Sequence, residues 1–304
     1  MAVELTVRSA FAKPPQGPSS LLSPQFIFVS SGMAPSPRTL AFHRLHQSGC
    51  FVIPNPWDVG SARLLAQLGF PALASTSSGL AWSSGRADNQ VTLPELLTHL
   101  RALVGAVDLP INADFEGGFA VEPDRVAANV TLALETGISG ISIEDSTGNA
   151  TAPLYDFDLS VARIGATRAA IDRSGTGVLL VGRSEGFLVG RPDLAETIRR
   201  LVAYSAAGAD CLYAPGLKSR EEIEAVVRAV APKPVNVLVS SDFTTVAELA
   251  RLGVRRISVG GALARAAWGG FLAAAREIAS AGTFVGLARA VPFAEINQAL
   301  RGPA

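Results

Sequence analysis

Cysteine is scarce in this chain, which contains only Cys50 and Cys211 among its 304 residues. Neither belongs to a C-x-x-C pair, so the sequence excludes a disulfide framework and a cysteine-rich zinc site. A reducing cytoplasm is the simplest compartment for such a composition. Because Cys211 falls inside a predicted strand, we interpret it as a small core residue.

Net charge and long apolar runs are missing as well. The 26 basic and 26 acidic residues cancel, so no overall field draws the protein to nucleic acid or to an anionic membrane. No apolar run approaches the roughly 20 residues that cross a bilayer. Hydrophobic residues nevertheless make up 48% of the chain and charged residues 17%. This balance predicts a large buried core and argues against general disorder.

The first 38 residues differ in composition from the rest. They are rich in proline and serine and show neither a helical nor an alternating period, so we expect a disordered or non-core extension over 1–38. They lack the secretory pattern of a charged start, an apolar stretch and a small-residue cleavage site, and an organelle transit peptide is a weaker alternative. Because Met1 and Met33 are the only methionines, we expect the natural domain to start near Met33. Residues 39–304 are predicted to form one domain.

From residue 51 onward, short apolar runs alternate with longer helical patterns. The expected strands lie at 51–55, 72–75, 111–114, 140–144, 178–182, 211–214, 235–239 and 257–259. The expected helices lie at about 59–68, 94–106, 123–136, 160–173, 192–207, 219–230, 244–252 and 262–280. Four helical patterns end at a glycine that suits a helix C-cap: Gly69, Gly137, Gly208 and Gly253.

Eight strands that alternate with eight helices predict an α/β fold of the (β/α)8 TIM-barrel type. The nearly continuous apolar character of the strands agrees, because barrel strands are covered on both faces. The main alternative is an open doubly wound sheet, which more often carries a glycine-rich phosphate-binding turn that this sequence lacks. A further helical pattern near 286–300 lies beyond the eighth unit, and we expect it to pack on a neighbouring subunit.

Polar residues collect where the predicted strands end. In a (β/α)8 barrel, the carboxyl ends of the strands form the mouth that carries the chemistry. The first four ends read NPWD at 55–58, STSSG at 75–79, NADFEGG at 112–118 and ED at 144–145. RSE follows the fifth strand at 183–185, Asn236 lies in the seventh strand, and Asp88 lies in the loop after the second.

Four or five carboxylates at one barrel mouth would repel one another unless a cation neutralises them. Hard oxygen ligands without histidine or cysteine beside them favour Mg2+ or Mn2+. Arg183 would face this metal and grip a carboxylate or phosphonate through two hydrogen bonds. The hydroxyls and backbone N–H groups of 75–77 could hold a second oxyanion. Together these features predict a site for a small dianionic acid.

A plain structural interpretation stands beside the functional one. A lone Asp or Glu at a strand end most often caps a helix or faces solvent, and three residues fit this description: Asp58, Asp145 and Glu185. Arg183 could pair with a neighbouring carboxylate instead of a ligand. Asp114 and Glu144 are harder to explain in this way, because both terminate apolar strands. The histidines, which we assign to surface or helix positions without a catalytic part, are His43, His46 and His99.

At these positions the sequence resembles the isocitrate lyase and phosphoenolpyruvate mutase superfamily. The resemblance runs from about residue 51 to residue 282 and is carried by the order and spacing of nine motifs. They are NPWDVGSA at 55–62, STSSG at 75–79, GRAD at 85–88, NADFEGGF at 112–119, IED at 143–145, GRSE at 182–185, AGAD at 207–210, PVNV at 234–237 and LGVRRISVG at 252–260.

The resemblance implies a magnesium-dependent barrel enzyme that makes or breaks a C–C or P–C bond next to the carboxylate of a 2-oxo or 2-hydroxy acid. In such enzymes the metal and an arginine hold an enolate-like fragment while a preorganised cation neutralises its developing charge. A homotetramer that swaps its last helix between subunits is also implied, and small di- or tricarboxylic or phosphonate acids are the implied substrates.

The strand ends and the resemblance together define the predicted site residues. The metal residues, for Mg2+ or alternatively Mn2+, are Asp88, Asp114 and Glu144. The catalytic residues are Asp88, Glu116, Glu144 and Arg183. The substrate-binding residues are Trp57, Ser75, Thr76, Ser77, Asn112, Arg183 and Asn236.

Two departures from the superfamily pattern narrow the reaction. The metal motif is normally Asp-x-Asp, but its first position here is Asn112, which lowers the negative charge of the site unless Glu116 substitutes. The loop that carries Lys-x-Cys-Gly-His in isocitrate and methylisocitrate lyases reads STGNATAP at 146–153. It lacks the cysteine acid of the lyases and the lysine of the mutases and hydrolases, although Asn149 could supply the asparagine of the latter. We therefore expect a divergent, phosphonomutase-like member.

Three functions stay open at this point. We favour an Mg2+-dependent lyase or hydrolase that cleaves a C–C bond in an oxaloacetate-like or alkylmalate-like acid. The second is a mutase or hydrolase that acts on the P–C bond of a phosphonopyruvate-like acid. The third is a barrel that binds a small acid without turnover.

Overall fold

The computed structural model describes residues 34–301. Eight parallel strands pair in the order β1-β8-β7-β6-β5-β4-β3-β2. Between β1 and β2, the backbone N–H of Ala74 donates to the carbonyl of Pro54 at 3.1 Å, which brings the two ends of the sheet together. The strands are β1 (Phe51–Ile53), β2 (Leu73–Ala74), β3 (Ile111–Asp114), β4 (Gly140–Glu144), β5 (Leu179–Arg183), β6 (Cys211–Tyr213), β7 (Val235–Leu238) and β8 (Arg256–Ser258). The predicted (β/α)8 barrel is confirmed.

Helices follow the strands and cover the barrel. They are α1 (Pro37–Gln47), α2 (Val59–Gln67), α3 (Ser77–Ser83), α4 (Leu93–Ala106), α5 (Pro123–Leu134), α6 (Phe157–Ser174), α7 (Leu194–Ala206), α8 (Arg220–Val230), α9 (Val246–Arg251), α10 (Ala262–Ala281) and α11 (Phe293–Arg301). A 3-10 turn, Val285–Arg289, lies between the last two. None of the helices within 34–301 is both long and apolar enough to cross a membrane.

Most predicted elements agree with the structure to within a few residues. The four expected C-cap glycines all have positive φ, between 83° and 106°, the left-handed conformation that ends a helix. The helix expected at 286–300 is divided into the 3-10 turn and α11, because Pro292 disfavours helical conformation in the residue before it. The sequence pattern did not reveal α3, whose serine-rich start hides a helix capped by Thr76 Oγ1, which accepts from Gly79 N at 3.3 Å.

Helix α1 closes the amino-terminal end of the barrel and was not predicted either. It begins at Pro37, with Ser36 as its N-cap, two residues before the predicted domain boundary at 38/39. Its Phe42 is fully buried among residues from several strands, including Phe51, Leu179 and Cys211. This packing confirms Cys211 as a core residue. Residues 1–33 lie outside the described part of the chain, so the proposed extension stays a prediction.

Gly140, the first residue of β4, is required by the close approach of α1. A Cβ atom at this position would lie 2.5 Å from Cε1 of Phe42 and 2.6 Å from Oδ1 of Asn112. Gly140→Ala should therefore destabilise the protein by about 1–3 kcal/mol, as overpacking of a core does. Urea unfolding followed by circular dichroism measures this loss.

Gly165→Ala is the matched control, because Gly165 lies inside α6 and a Cβ atom added there would meet no neighbouring atom within 4 Å. At this position the substitution should be neutral or should stabilise the protein by up to about 1 kcal/mol, the ordinary helix-propensity difference. Equal effects of the two substitutions would contradict the tight contact between Gly140 and α1.

His46 is expected to make the amino-terminal end of the barrel sensitive to acid. It lies in α1, is 8% exposed, and donates from Nδ1 to the carbonyl of Phe42 at 2.8 Å. Burial, and next the charge of Arg256, lower the pKa of His46 from 6.5 to about 3. The unfolded chain therefore binds this proton at a higher pH than the folded protein does. The contribution of neutral His46 to the free energy of unfolding is complete above pH 6.5 and is lost as the pH falls toward 3.

At pH 5 the expected loss of unfolding free energy from His46 is about 2 kcal/mol relative to pH 7. Urea unfolding at the two pH values tests this, with His46→Gln as the variant that cannot titrate. The difference between pH 7 and pH 5 should be smaller in His46→Gln than in the wild type. An identical difference would show that His46 does not control the acid response.

Candidate active site

Three predicted residues end neighbouring strands and meet at the carboxyl-terminal mouth of the barrel. Asp114 ends β3, Glu144 ends β4 and Arg183 ends β5. In the sheet register Glu144 lies directly beside Arg183, and Asp114 lies beside Ser142. The pairing of parallel strands therefore brings together side chains that are far apart in the chain, as a barrel mouth requires.

Arg183 is the centre of this acidic cluster. Its Nη1 lies 3.1 Å from Oδ1 of Asp114 and 3.1 Å from Oε2 of Glu144, and its Nε donates to Oε1 of Glu185. The centre of the Tyr213 ring lies 5.2 Å from the guanidinium carbon. The alternative left open by the sequence, an ion pair between Arg183 and neighbouring carboxylates, is thus present. Contact between Arg183 and a substrate stays a prediction.

Of the three residues with a plain structural interpretation, one behaves as expected and two do not. Asp58 is the N-cap of α2 and accepts from Ser61 N at 2.6 Å. Glu185 is buried against Arg183 instead of facing solvent. Asp145 is also buried, and accepts from the Tyr204 hydroxyl at 2.6 Å and from Arg200 Nη1 at 3.1 Å. It also accepts from the backbone N–H of Glu185 at 2.8 Å, so Asp145 holds the backbone in place just after β5.

The serine turn after β2 holds Asp114 in place. Oδ2 of Asp114 accepts from the backbone N–H and from the hydroxyl of Ser77, both at 2.9 Å. The backbone N–H of Asp114 donates to the hydroxyl of Ser75 at 2.8 Å, and the Asn55 amide, just after β1, donates to the carbonyl of Ser75. Thr76 caps α3. Ser75 and Ser77 therefore position a carboxylate, and their contact with a substrate oxyanion stays a prediction.

Glu116 lies next to this cluster in a strained backbone conformation. Its φ is +47°, in the left-handed region that a non-glycine residue seldom occupies. Burial, followed by the charges of Asp114 and Asp88, raises the pKa of Glu116 to about 7. Burial also raises the pKa of Glu144 well above its usual value, although Arg183 opposes this effect. The mouth therefore holds several carboxyl groups beside Arg183, and burial makes Glu116 and Glu144 easier to protonate than exposed glutamates.

The chemistry of these side chains fits Mg2+ or Mn2+, which prefer carboxylate and water oxygens. Within residues 34–301, no group of three or more His, Cys, Asp or Glu side chains is already arranged to hold a metal ion. Arg183 Nη1 lies between Asp114 and Glu144, and Asp88 sits in an exposed loop with its Oδ1 accepting from Asn89 N at 3.0 Å. The excess of carboxylates over cations is the feature that suits a divalent ion.

Two adjoining cavities open at the acidic cluster. One has a volume of about 170 Å3, and its lining includes Ser75–Ser78, Asp88, Asn112, Asp114, Arg183, Tyr213 and Arg256. The other, of about 440 Å3, is bordered by Glu116, Glu144 and the loop at 146–149. Asn149 in this loop accepts from the N–H of Thr151 at 3.0 Å and so shapes the turn.

Comparison with known proteins identifies the family. The family model for phosphoenolpyruvate phosphomutase matches residues 42–279. The chain belongs to the phosphoenolpyruvate phosphomutase family. An uncharacterized protein of Mycobacterium tuberculosis is 33% identical over 263 residues, which cover 86% of this chain and 96% of that protein.

Two further relatives match this chain. One is known from its crystal structure, and the other is an oxaloacetate decarboxylase. The crystal structure of a candidate lyase/mutase from Burkholderia cenocepacia J2315 is 50% identical, with a TM-score of 0.85, and the match covers 88% of this chain and 96% of that one. The oxaloacetate decarboxylase of Bradyrhizobium diazoefficiens is 31% identical over 190 residues, or 60% of this chain and 64% of the enzyme. The resemblance to a superfamily of C–C lyases and mutases is thus confirmed.

Asn112, the departure from the phosphomutase-family metal motif, has a definite partner. It lies inside the barrel, 1% exposed, and its Oδ1 accepts from Nη1 of Arg256 at 3.2 Å. Asn236 is likewise buried and accepts at Oδ1 from Arg256 Nε at 3.0 Å. Trp57 borders neither of the two cavities and packs beside Gly79 of α3.

Arg256 is the charged residue lining the smaller cavity that sequence reasoning missed. The predicted eighth strand began one residue later, at 257, which left the arginine outside it. The signal that could have found it is a period of two: Arg256 and Ser258 flank the apolar Ile257, so both point to the same side of β8. Both line the smaller cavity.

Proposed function

We propose that this family member is an Mg2+-dependent lyase or hydrolase that cleaves a C–C bond in a small 2-oxo or 2-hydroxy carboxylic acid. The observation that carries this proposal is the cluster at the mouth, in which Arg183 contacts both Asp114 and Glu144 at 3.1 Å beside a small cavity. The oxaloacetate decarboxylase relative supports a C–C bond as the target. We place the enzyme in a reducing cytoplasm because of its two free cysteines.

In this proposal Asp88, Asp114 and Glu144 hold the metal, directly or through water. When bound, Mg2+ would act as a Lewis acid that neutralises negative charge on the oxygens of the substrate. Arg183 orients the substrate carboxylate, since its position is fixed by Asp114 and Glu185. Ser77 keeps Asp114 from rotating. Asp114 and Arg183 are thus held in place before the substrate arrives, which is the condition for effective electrostatic catalysis.

Glu116 is the proposed proton donor. When CO2 leaves a 2-oxo diacid, the electron pair of the broken C–C bond stays with the 2-oxo fragment as an enolate. When the bond next to C2 is hydrolysed or cleaved in a retro-aldol step, the pair stays with the departing carboxylic fragment. In each case the carbon that keeps the pair must take up a proton. Burial raises the pKa of Glu116 to about 7, so a proton is available near neutral pH. The loop at 146–153 contains no Cys, Lys or His that could act instead.

A P–C mutase or hydrolase is the second candidate, because the matching family model is that of phosphoenolpyruvate phosphomutase. The absence of lysine from 146–153 weighs against it. Proton and phosphorus NMR of the purified protein with Mg2+ separates the candidates. The substrates are oxaloacetate, 2-methylisocitrate, dimethylmalate and phosphonopyruvate.

Glu144→Ala is the negative control for this panel. Release of pyruvate or oxalate from one of the three phosphorus-free acids by the wild type alone would support the C–C lyase or hydrolase. A new phosphorus signal from phosphonopyruvate would support the second candidate. If no acid is turned over although oxalate binds tightly, the barrel binds acids without catalysis or acts on a substrate outside the panel. Equal turnover by Glu144→Ala would contradict the assignment of the metal site.

We also propose that the enzyme is a homotetramer that swaps its last helix. Helix α10 has a single buried residue, Ala264, and large apolar side chains on it and after it are exposed: Trp268, Phe271, Phe284, Val285 and Phe293. Such a patch is typical of a subunit interface. Light scattering should give four times the chain mass, and Phe271→Glu should yield smaller species. A monomeric wild type would contradict the tetramer.

A further inference from the structure

Arg256 is a buried cation that the proposed reaction does not use. It opens β8 with its side chain inside the barrel and is 2% exposed. Nε donates to Asn236 Oδ1 at 3.0 Å and Nη1 to Asn112 Oδ1 at 3.2 Å. Within residues 34–301, no acceptor takes a hydrogen bond from Nη2, and no carboxylate forms an ion pair with this guanidinium, whereas Arg183 has three such partners.

The two amide oxygens solvate the charge of Arg256 without neutralising it. A buried charge that lacks a counter-ion is costly, and the interiors of such barrels are usually filled by branched apolar residues. Both asparagines are themselves fixed, because Asn236 Nδ2 donates to Ser258 Oγ at 2.9 Å and Asn112 Nδ2 to the carbonyl of Ala113 at 3.0 Å. The guanidinium is thus held in one orientation by rigid strands, and its carbon lies 6.0 Å from the centre of the Phe42 ring, but it has no anionic partner among residues 34–301.

Arg256 borders the same 170 Å3 cavity as the acidic cluster. Asn112, its partner, and Asp114, the partner of Arg183, are two residues apart on β3 and point to the same side of the strand. At about 3.3 Å per residue, the levels of Asn112 and Asp114 in the barrel are separated by roughly 7 Å. A short dicarboxylic acid can span this distance, with one carboxylate at the mouth, at the level of Asp114, and the other deeper in the barrel, at the level of Asn112 and Arg256. We call this deeper end of the cavity its floor.

We propose that Arg256 binds the distal carboxylate of a dicarboxylic substrate, the one away from the metal, and so selects diacids over monoacids. This assignment rests on the proposed function and names its substrate class. The bound carboxylate supplies the counter-charge that the barrel does not provide. Because guanidinium and carboxylate are both planar, they form two parallel hydrogen bonds, which favours a carboxylate over a hydroxyl or an apolar group.

The test compares two acids that differ by one carboxylate, malate and lactate, by isothermal titration calorimetry in the presence of Mg2+. The wild type should bind malate more tightly. Arg256→Gln should weaken malate binding by at least about 30-fold, the usual effect of removing one partner of a buried charge pair. Lactate binding should change by less than about 3-fold, since lactate has no carboxylate to place at the floor.

Asn112→Asp is a second variant, which matches the wild type in shape. Its carboxylate would lie where the amide oxygen now accepts from Arg256 Nη1, and would neutralise the guanidinium. Malate binding should weaken more than lactate binding, with the thermal midpoint unchanged or raised. Arg256→Lys, which keeps the charge, should retain part of the preference for malate. If Arg256→Gln does not fold, Asn112→Asp decides the question.

The outcomes are distinguishable. Selective loss of malate binding in the variants supports the assignment. Equal weakening of both acids, or unchanged malate binding, overturns the role of Arg256 but leaves the proposed function standing. A wild type that binds neither acid overturns both.

Discussion

Replacing Arg183 by methionine is expected to abolish turnover and to lower the free energy of unfolding by about 3–5 kcal/mol at pH 7. The wild-type guanidinium is shared by Asp114, Glu144 and Glu185, and methionine would leave three carboxylates close together without a counter-charge. Turnover should fall by at least about 1,000-fold, because the group that orients the substrate carboxylate is lost. Urea unfolding and steady-state rates measure the two effects.

Magnesium provides an internal check on this prediction. With Arg183 removed, the uncompensated carboxylates should bind Mg2+ more strongly than in the wild type, so added Mg2+ should raise the thermal midpoint of the variant by more. The gain should fall at high salt, where charges at the mouth are screened.

Arg183→Lys is the matched control for the loss of charge. A lysine ammonium keeps the charge but lacks the planar fork that reaches Glu185 and the other two acids together. Stability should therefore fall by less than in Arg183→Met, whereas turnover should still be strongly reduced. Wild-type stability and turnover in Arg183→Met would show that the cluster is neither a structural nor a catalytic centre.

Glu144→Gln is expected to reduce turnover by about 100- to 10,000-fold while the protein stays folded. Glutamine keeps the size of the side chain, and Arg183 retains its contacts with Asp114 and Glu185. What is lost is one negative oxygen of the proposed metal site. The initial rate should therefore need a higher Mg2+ concentration to reach half its maximum.

Asp108→Asn is the control carboxylate, since the side chain of Asp108 is 94% exposed and pairs with Arg38 on the surface. It should leave turnover and the dependence on Mg2+ unchanged, as exposed ion pairs contribute little. If Glu144→Gln behaves in the same way as Asp108→Asn, then Glu144 is a structural partner of Arg183 and the metal lies elsewhere.

The sequence by itself was enough to predict the barrel and to locate its mouth. Alternation of apolar strands and amphipathic helices depends on residues that are near one another in the chain, so it can be recognised without knowledge of the fold. Asp114, Glu144 and Arg183 could be singled out for the same reason, since each ends an apolar run. Helix α1 was not predicted because its apolar face is short and covers the end of the barrel instead of its side.

Only the tertiary structure decided which side chains meet. Glu185 and Asp145, interpreted from the sequence as capping or solvated residues, are buried partners of Arg183 and Arg200. Asn112 accepts from Arg256 across 144 residues of chain, a contact that exists because β3 and β8 face one another inside a closed barrel. Such contacts depend on strand register and closure, which no local pattern encodes. The sequence therefore located the barrel mouth and its charged residues, and the fold determined which of these charges form ion pairs.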